Sequence, residues 1–353
     1  VYWLTDLVLL LAGAGGVLAF APFGWFVLAV LALALLFRQW LADSPRQAFR
    51  HGLSFGLGFF GFGVSWVFVS VHTYGNVAWP VAGFIALLFI LVLALFPALT
   101  GYALRRLFPG REVSWLWLVF PSGWLLFEWL RGWIFTGLPW LDLGASQIDS
   151  PLSSYLPVIG EYGVSWLVAL SAGLLSAAWS GRSRVLPVSI VLLLWGGGAW
   201  LDQVDWVRPA GDPLSVGLVQ GNVAQEQKWI PENLQHTLTH YADLTFAGER
   251  SDIIVWPETA IPAFYDQVDE HYIPSLQQRL AAQGSTLLSG IPVLDRTRWE
   301  FYNAVIELAP QPVFYYKQHL VAFGEYVPMR NLLGIVVDKL VPMNGDFSRG
   351  SAQ

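Results

Sequence analysis

The sequence predicts a two-part chain: a polytopic bundle of apolar helices that crosses a membrane, then an α/β domain. Three observations carry that prediction. Hydrophobic residues make up 55% of the 353 and charged residues only 12%, against about 25% charged in an ordinary soluble domain. Composition shifts near residue 202: residues 1–201 hold no Lys and 15 of the 19 Trp, while 202–353 hold all three Lys and 18 of the 25 acids. Apolar runs of membrane length fill the first part, and short apolar runs alternating with polar helical stretches fill the second. We therefore expect a transmembrane domain over 1–202 and a second domain over 203–353. The composition excludes a disordered chain and a basic nucleic-acid-binding protein, and a net charge of −6 implies no polyanionic partner. With no cysteine, neither disulfides nor Cys-ligated metals are available to these residues.

A spanning helix needs roughly 20 mainly apolar residues, with a range of about 17–25. Seven segments qualify as candidates: 4–20, 24–37, 52–71, 79–104, 113–130, 162–179 and 186–201. The second is short. In the fourth, Pro80 falls in the first turn, where a missing N–H costs little. The first lacks the basic n-region and cleavage site of a signal peptide. The chain begins with Val rather than Met and is expected to be a piece of a longer one. Alternate loops carry Arg38, Arg46, Arg50, Arg105, Arg106, Arg111, Arg182 and Arg184, and the opposite loops carry only Arg131. That asymmetry predicts a cytoplasmic N-terminus, with the second domain on the other face, the periplasm of a Gram-negative cell.

Gly52 and Gly56 have the spacing that lets helix backbones approach closely. Glu128 and Arg131 lie three residues apart on one helix face, a geometry that suits an ion pair, although an intramembrane acid is also a functional candidate. The loop 131–160, with Leu138, Pro139 and Trp140, suits a segment lying at the outer membrane surface.

In the second domain, strands are expected at 214–220, 252–256, 286–293, 301–308 and 312–316, and helices at 231–247 and 269–283, the latter interrupted by Pro274. This alternation implies sheet packed on helices. Glu258 follows the second strand and Pro257, at the carboxyl end of a strand where α/β folds place ligands. Trp256 would add an apolar wall that raises a carboxyl pKa toward that of a useful base. The bland alternative is a turn acid. Lys317 closes the last strand; it either stabilises an oxyanion or snorkels at the surface. Glu325, in the turn HLVAFGEYVP, could orient that lysine. His319 is more readily structural, and Ser289 lacks the surroundings of a nucleophile. No spacing suggests a metal site, and no Gly-rich phosphate loop is present.

The runs SVGLVQGN at 215–222, IIVWPETAIP at 253–262, LLSGIPV at 287–293 and YYKQHLVAFGEYVP at 315–328 resemble the apolipoprotein N-acyltransferase family, membrane enzymes with a nitrilase-type domain. So do WLRGWIFTGLPW at 129–140, SQIDSPL at 146–152 and FSRG at 347–350. The resemblance covers nearly the whole chain, with its motifs in order. It implies a nitrilase-type αββα sandwich with a Glu-Lys-Cys triad. Glu258 would be the general base, Lys317 the oxyanion stabiliser and Glu325 its support. Trp229 would serve substrate access, and Asn303 would lie near the site. Phe264 and Tyr265, in AIPAFY just past Glu258, are expected to form part of a mobile lid. The family's cysteine is expected shortly beyond FSRG, followed by a closing membrane helix. The 353 residues are thus expected to be catalytically incomplete, with a sandwich unfinished at its C-terminal side.

The function so implied is ping-pong acyl transfer in the bacterial inner membrane. A phospholipid donates its acyl chain to the cysteine, and the α-amino group of a diacylglyceryl apolipoprotein then takes it. No cofactor or metal, no nucleic acid and a monomeric state are expected. Two rivals remain: a membrane-bound amidase or nitrilase that hydrolyses C–N bonds, and a non-enzymatic membrane lipid-binding protein.

Overall fold

The computed structural model describes residues 2–180, 184–309, 311–331, 334 and 346–351. It divides into two compact units, Val1–Arg208 and Pro209–Gln353.

The regular elements among the described residues of the first unit are helices: α1 (Tyr2–Gly16), α2 (Val27–Ala42), α3 (Pro45–Gly63), α4 (Val67–Tyr74), α5 (Trp79–Leu107), α6 (Val119–Arg131), α7 (Leu156–Ser180) and α8 (Val185–Leu201). Each of the seven predicted segments is largely helical, with differences at the ends and a break after Gly63 inside the third. Among the described residues, three stretches are long and apolar enough to cross a membrane: Trp79–Leu107, Val113–Arg131 and Pro151–Trp179. The pair α3 and α4 adds a fourth if it counts as one span bent by 58°. Trp3–Ala19, Val27–Ala42 and Val185–Leu201 are apolar but shorter. Many large side chains on these helices point outward, among them Trp3, Phe62, Trp79, Phe84, Leu192 and Leu193. Apolar exposure of that extent marks a surface made for a nonaqueous neighbour.

Helix α3 begins well before residue 52. Ser44 and Gln47 form a reciprocal capping box, with Pro45 in the first turn, so two orphan N–H groups are satisfied there. The small residues serve packing, as expected. A Cβ on Gly56 would meet Ala94 Cα at 2.8 Å, and one on Gly52 would press into the Pro97 backbone. Only glycine lets α3 and α5 come this close.

One expectation for this unit is corrected and another is narrowed. Arg131 does not pair with Glu128; its guanidinium meets Asp142 at 2.5 Å, with both side chains buried. Glu128 instead accepts hydrogen bonds from Trp124 Nε1 at 3.1 Å and Leu143 N at 3.3 Å. The loop after α6 divides in two: Trp133, Ile134 and Phe135 are exposed with Pro139, while the later part turns inward. Leu141, Asp142, Leu143, Ser146 and Gln147 are buried, drawn inward by the Asp142–Arg131 pair and by the Leu138 and Trp140 carbonyls that Arg131 also binds. Trp140 itself stays exposed.

The second unit is built on a five-stranded mixed sheet in the order β1 (Val216–Leu218), β2 (Ile253–Val255), β3 (Thr286–Asp295), β4 (Glu300–Leu308) and β5 (Val313–Tyr316). Strands β1, β2 and β3 run parallel, and β4 is antiparallel to both β3 and β5. Helices α9 (Gln225–Lys228), α10 (Leu234–Ala247), α11 (Tyr265–Val268) and α12 (Tyr272–Gln283) accompany it. Pro274 falls in the first turn of α12, so the predicted interruption is a later start. Gly284, at φ +67°, ends that helix in the left-handed region.

Side chains alternate across the sheet. One face (Ile254, Leu287, Ile291, Ile306, Leu308) forms a buried core with Leu238 and Tyr241 of α10 and Ile273, Leu276 and Leu280 of α12. The register puts Val216, Leu218, Val305, Val313 and Tyr315 on the opposite face, where all five are exposed.

Candidate active site

The parallel strands β1 and β2 end side by side, and each passes directly into a turn. After β2 the chain runs through Trp256 and Pro257 to Glu258, with Thr259 at φ +49°. Trp256 N donates to Leu288 O and Ile261 N to Gly290 O, which ties the turn to β3. Gly290 is required here. A Cβ on it would sit 2.6 Å from Glu258 Cα and 2.8 Å from Glu258 C, distances no real Cβ tolerates. Trp256 does not wall the carboxylate as expected. The alternation turns its ring into the core, against Tyr241 at 5.0 Å, with Nε1 donating to Thr245 Oγ1.

The Glu258 carboxylate is oriented by polar partners. Asn303 Nδ2, from the middle of β4, donates to Glu258 Oε1 at 2.5 Å and to Glu325 Oε1 at 2.9 Å. Lys317 Nζ lies 2.9 Å from Glu325 Oε1 and 3.6 Å from Glu258 Oε1. Glu325 also accepts from Val321 N through Oε2 at 2.7 Å. The network is graded in burial: the side chains of Glu325, Lys317 and Glu258 are 12%, 31% and 66% exposed. Lys317 is fixed to β4 through its own N–H, which donates to Asn303 O at 2.8 Å.

Electrostatics follows that gradient. Burial pushes the Glu325 carboxyl up, but the hydrogen bonds from Asn303, Val321 N and Lys317, with the lysine's charge, outweigh it and hold the pKa below the ordinary carboxylate value. Burial disfavours the charged Lys317, yet the hydrogen bond and charge of Glu325, with Glu258 behind it, raise its pKa above the ordinary lysine value. Lys317 is therefore a fixed cation and Glu325 a fixed anion, while Glu258, nearest solvent, is the carboxylate free to meet a reacting group.

The FSRG run joins this site. Phe347 N donates to Glu325 O at 2.7 Å, Ser348 N to Phe301 O at 2.6 Å and Gly350 N to Lys317 O at 2.9 Å.

Of the residues singled out from the sequence, Glu258, Lys317, Glu325 and Asn303 converge. Trp229 is exposed and sits directly after Lys228, with no hydrogen bond or ring stack to the four among the described residues. Phe264 and Tyr265, expected in a lid, are packed in this structure. Their rings pack on Phe301 at 5.7 Å and Phe314 at 5.0 Å, and the segment before them is anchored by buried Ala260, Ile261 and Ala263. Lys228 was missed. Its Nζ donates to the Glu258 carbonyl at 3.1 Å, and the only sequence signal was the rarity of lysine in this chain. No group of three or more metal-ligating side chains occurs among the described residues.

Residues 12–174 match the family model described as the apolipoprotein N-acyltransferase N-terminal domain. Relatives named apolipoprotein N-acyltransferase align over nearly the whole chain. The protein of Methylococcus capsulatus is 46% identical over 97% of this chain and 69% of its own length. That of Chromobacterium violaceum is 41% identical over 97% of this chain and 66% of its own. That of Pseudomonas syringae pv. tomato is 39% identical over 99% and 70%. The chain thus spans about two thirds of the length of these relatives. A helical unit with membrane-capable segments, a carboxylate–lysine site and these relatives define a membrane acyltransferase. The chain belongs to the apolipoprotein N-acyltransferase family.

Proposed function

We propose that the full-length protein transfers an acyl chain from a membrane phospholipid to the N-terminal amine of a diacylglyceryl-cysteine apolipoprotein, through a cysteine thioester. Glu258 takes the thiol proton as sulfur attacks the ester carbonyl. Lys317 faces the resulting oxyanion, and Glu325 with Asn303 holds Lys317 and Glu258 in place. The carbon–oxygen bond breaks, Glu258 returns the proton to the departing oxygen, and a lysophospholipid leaves. The apolipoprotein amine then attacks the thioester, gives its proton to Glu258, and the amide forms as the thiol is released. The observation that carries this reading is Lys317 held between Glu325 at 2.9 Å and Glu258 at 3.6 Å.

The nucleophile in this scheme is a cysteine outside these 353 residues, a short distance along the chain from Gly350. The Gly350–Lys317 hydrogen bond supports it, because each residue extends the chain by at most about 3.6 Å. We also propose the nitrilase-type αββα sandwich. The apolar face at Val216, Leu218, Val305, Val313 and Tyr315 is what a second sheet would cover. The arginine asymmetry supports seven crossings, a cytoplasmic N-terminus and a second unit on the periplasmic side of the inner membrane. The scheme needs one copy of the chain and no cofactor. Trp229 is kept as a substrate-access residue, and its exposure is compatible with that role.

The test is a two-substrate assay with full-length protein, a labelled phospholipid and a diacylglyceryl lipopeptide. Label should move to the lipopeptide, and Glu258→Gln should stop it. Ammonia release from small amides without acyl transfer would instead support a hydrolase.

A further inference from the structure

A cleft of about 230 Å³ is lined in part by Glu258 and by none of Asn303, Lys317 and Glu325. Its walls are the Gly221–Asn222 turn after β1 and the Pro257–Thr259 turn after β2, with Gln220, Gln225 and Lys228 between them. This is the crevice outside the carboxyl ends of adjacent parallel strands, where open α/β sheets take their ligands. Both turns hold a non-glycine residue in the left-handed region, Asn222 and Thr259, each at φ +49°, a conformation that costs energy and persists where it serves a site.

The lining is rich in donors. Lysine has three N–H donors and no acceptor. Lys228 uses one on the Glu258 carbonyl at 3.1 Å, and the amides of Gln220, Asn222 and Gln225 offer more. Partial burial lowers the Lys228 pKa from its ordinary value, against the pull of Glu258, and an anion in the cleft would favour the charged form. Lys228 forms no ion pair with the Glu258 carboxylate among the described residues; that carboxylate is engaged by Asn303 and lies near Lys317.

We propose that this cleft binds the phosphate of the phospholipid donor, with Lys228 as its cationic contact. The inference rests on the acyl-transfer reading above. The ester that must reach the nucleophile beside Glu258 lies only a few bonds from the phosphate of a glycerophospholipid, and Lys228 is one hydrogen bond from the Glu258 backbone. Seating the phosphate there fixes the ester in register, so binding energy from a remote group serves orientation at the reacting carbon.

The test compares full-length wild type, Lys228→Gln and Lys228→Arg with two donors: phosphatidylethanolamine in mixed micelles and the phosphate-free p-nitrophenyl palmitate. One lost charge-assisted hydrogen bond predicts a ten- to hundredfold fall in kcat/KM for the phospholipid (roughly, from the usual worth of such bonds). The fall should appear mainly in KM, with a much smaller loss for the phosphate-free donor and recovery in Lys228→Arg. Equal losses with both donors, or an unchanged phospholipid KM, would overturn the proposal. A second arm titrates sn-glycero-3-phosphoethanolamine and inorganic phosphate onto the same proteins, read by phosphorus NMR line broadening. The phosphodiester should bind wild type and lose binding in Lys228→Gln; inorganic phosphate binding as well as the phosphodiester would overturn the lipid assignment. If wild type moves acyl groups from neither donor, the acyl-transfer reading fails, and the titration still decides what Lys228 holds.

Discussion

Gly290→Ala is the sharpest probe of how the catalytic turn is held. The added methyl would lie 2.6 Å from Glu258 Cα and 2.8 Å from Glu258 C, where ordinary carbon contacts are about 3.5–4.0 Å. The contacted atoms are backbone, so no side chain can rotate away, and the Glu258 turn must retreat by roughly 1 Å. Asn303 Nδ2 now sits 2.5 Å from Glu258 Oε1. A retreat of that size takes the carboxylate to the limit of hydrogen bonding and further from Lys317. Misplacement on this scale costs about 10²-fold in rate, and overpacking costs about 1–3 kcal/mol in stability. The assay is single-turnover acylation of the full-length enzyme by phospholipid, paired with a thermal melt. A variant that remains folded, with a melting temperature lowered by several degrees at most, and acylates about a hundredfold more slowly fits the reasoning. One that acylates at the wild-type rate refutes it.

Other outcomes follow from the same geometry. Glu325→Gln removes the charge that raises Lys317's pKa, so the alkaline limb of the kcat–pH profile should move to lower pH. The stability that Glu325 contributes is present above the ordinary glutamate pKa of about 4.3 and fades as pH falls through its depressed value. The melting-temperature advantage of wild type over Glu325→Gln should therefore shrink below about pH 4. Asn303→Leu deletes the donor shared by Glu258 and Glu325 and should cost about ten- to a hundredfold in acylation. In the helical unit, Arg131→Met strands the buried Asp142 and should destabilise by about 3–5 kcal/mol, seen as a lower melting temperature in detergent. Arg131→Met with Asp142→Leu should recover much of that loss.

Legibility in the sequence varied with the range of the interaction. The helical segments and the five strands were readable because hydrophobic period and length are local properties. The start of α3 at Pro45 was also readable in principle from Ser44-Pro45-x-Gln47, but apolar length alone pointed to residue 52. The Arg131–Asp142 pair was not, since it depends on a loop folding back into the bundle, and local spacing favoured Glu128. At the site, Glu258 and Lys317 stood out at strand ends. Asn303 came only from the resemblance, because a mid-strand amide has no local signature. Lys228 escaped because its link to Glu258 crosses between turns 30 residues apart. The packing of Phe264 and Tyr265 on Phe301 and Phe314 was hidden for a related reason: a short apolar stretch in sequence does not reveal which distant partners it meets.

The most direct test of the account is mass spectrometry of the full-length protein after incubation with phospholipid in the absence of acceptor. The account predicts one acyl chain on a cysteine, released by hydroxylamine, transferred on addition of lipopeptide, and missing in Glu258→Gln and Lys317→Met. Acyl transfer to lipopeptide that proceeds with no cysteine-bound intermediate, or at the wild-type rate in Glu258→Gln, would contradict it.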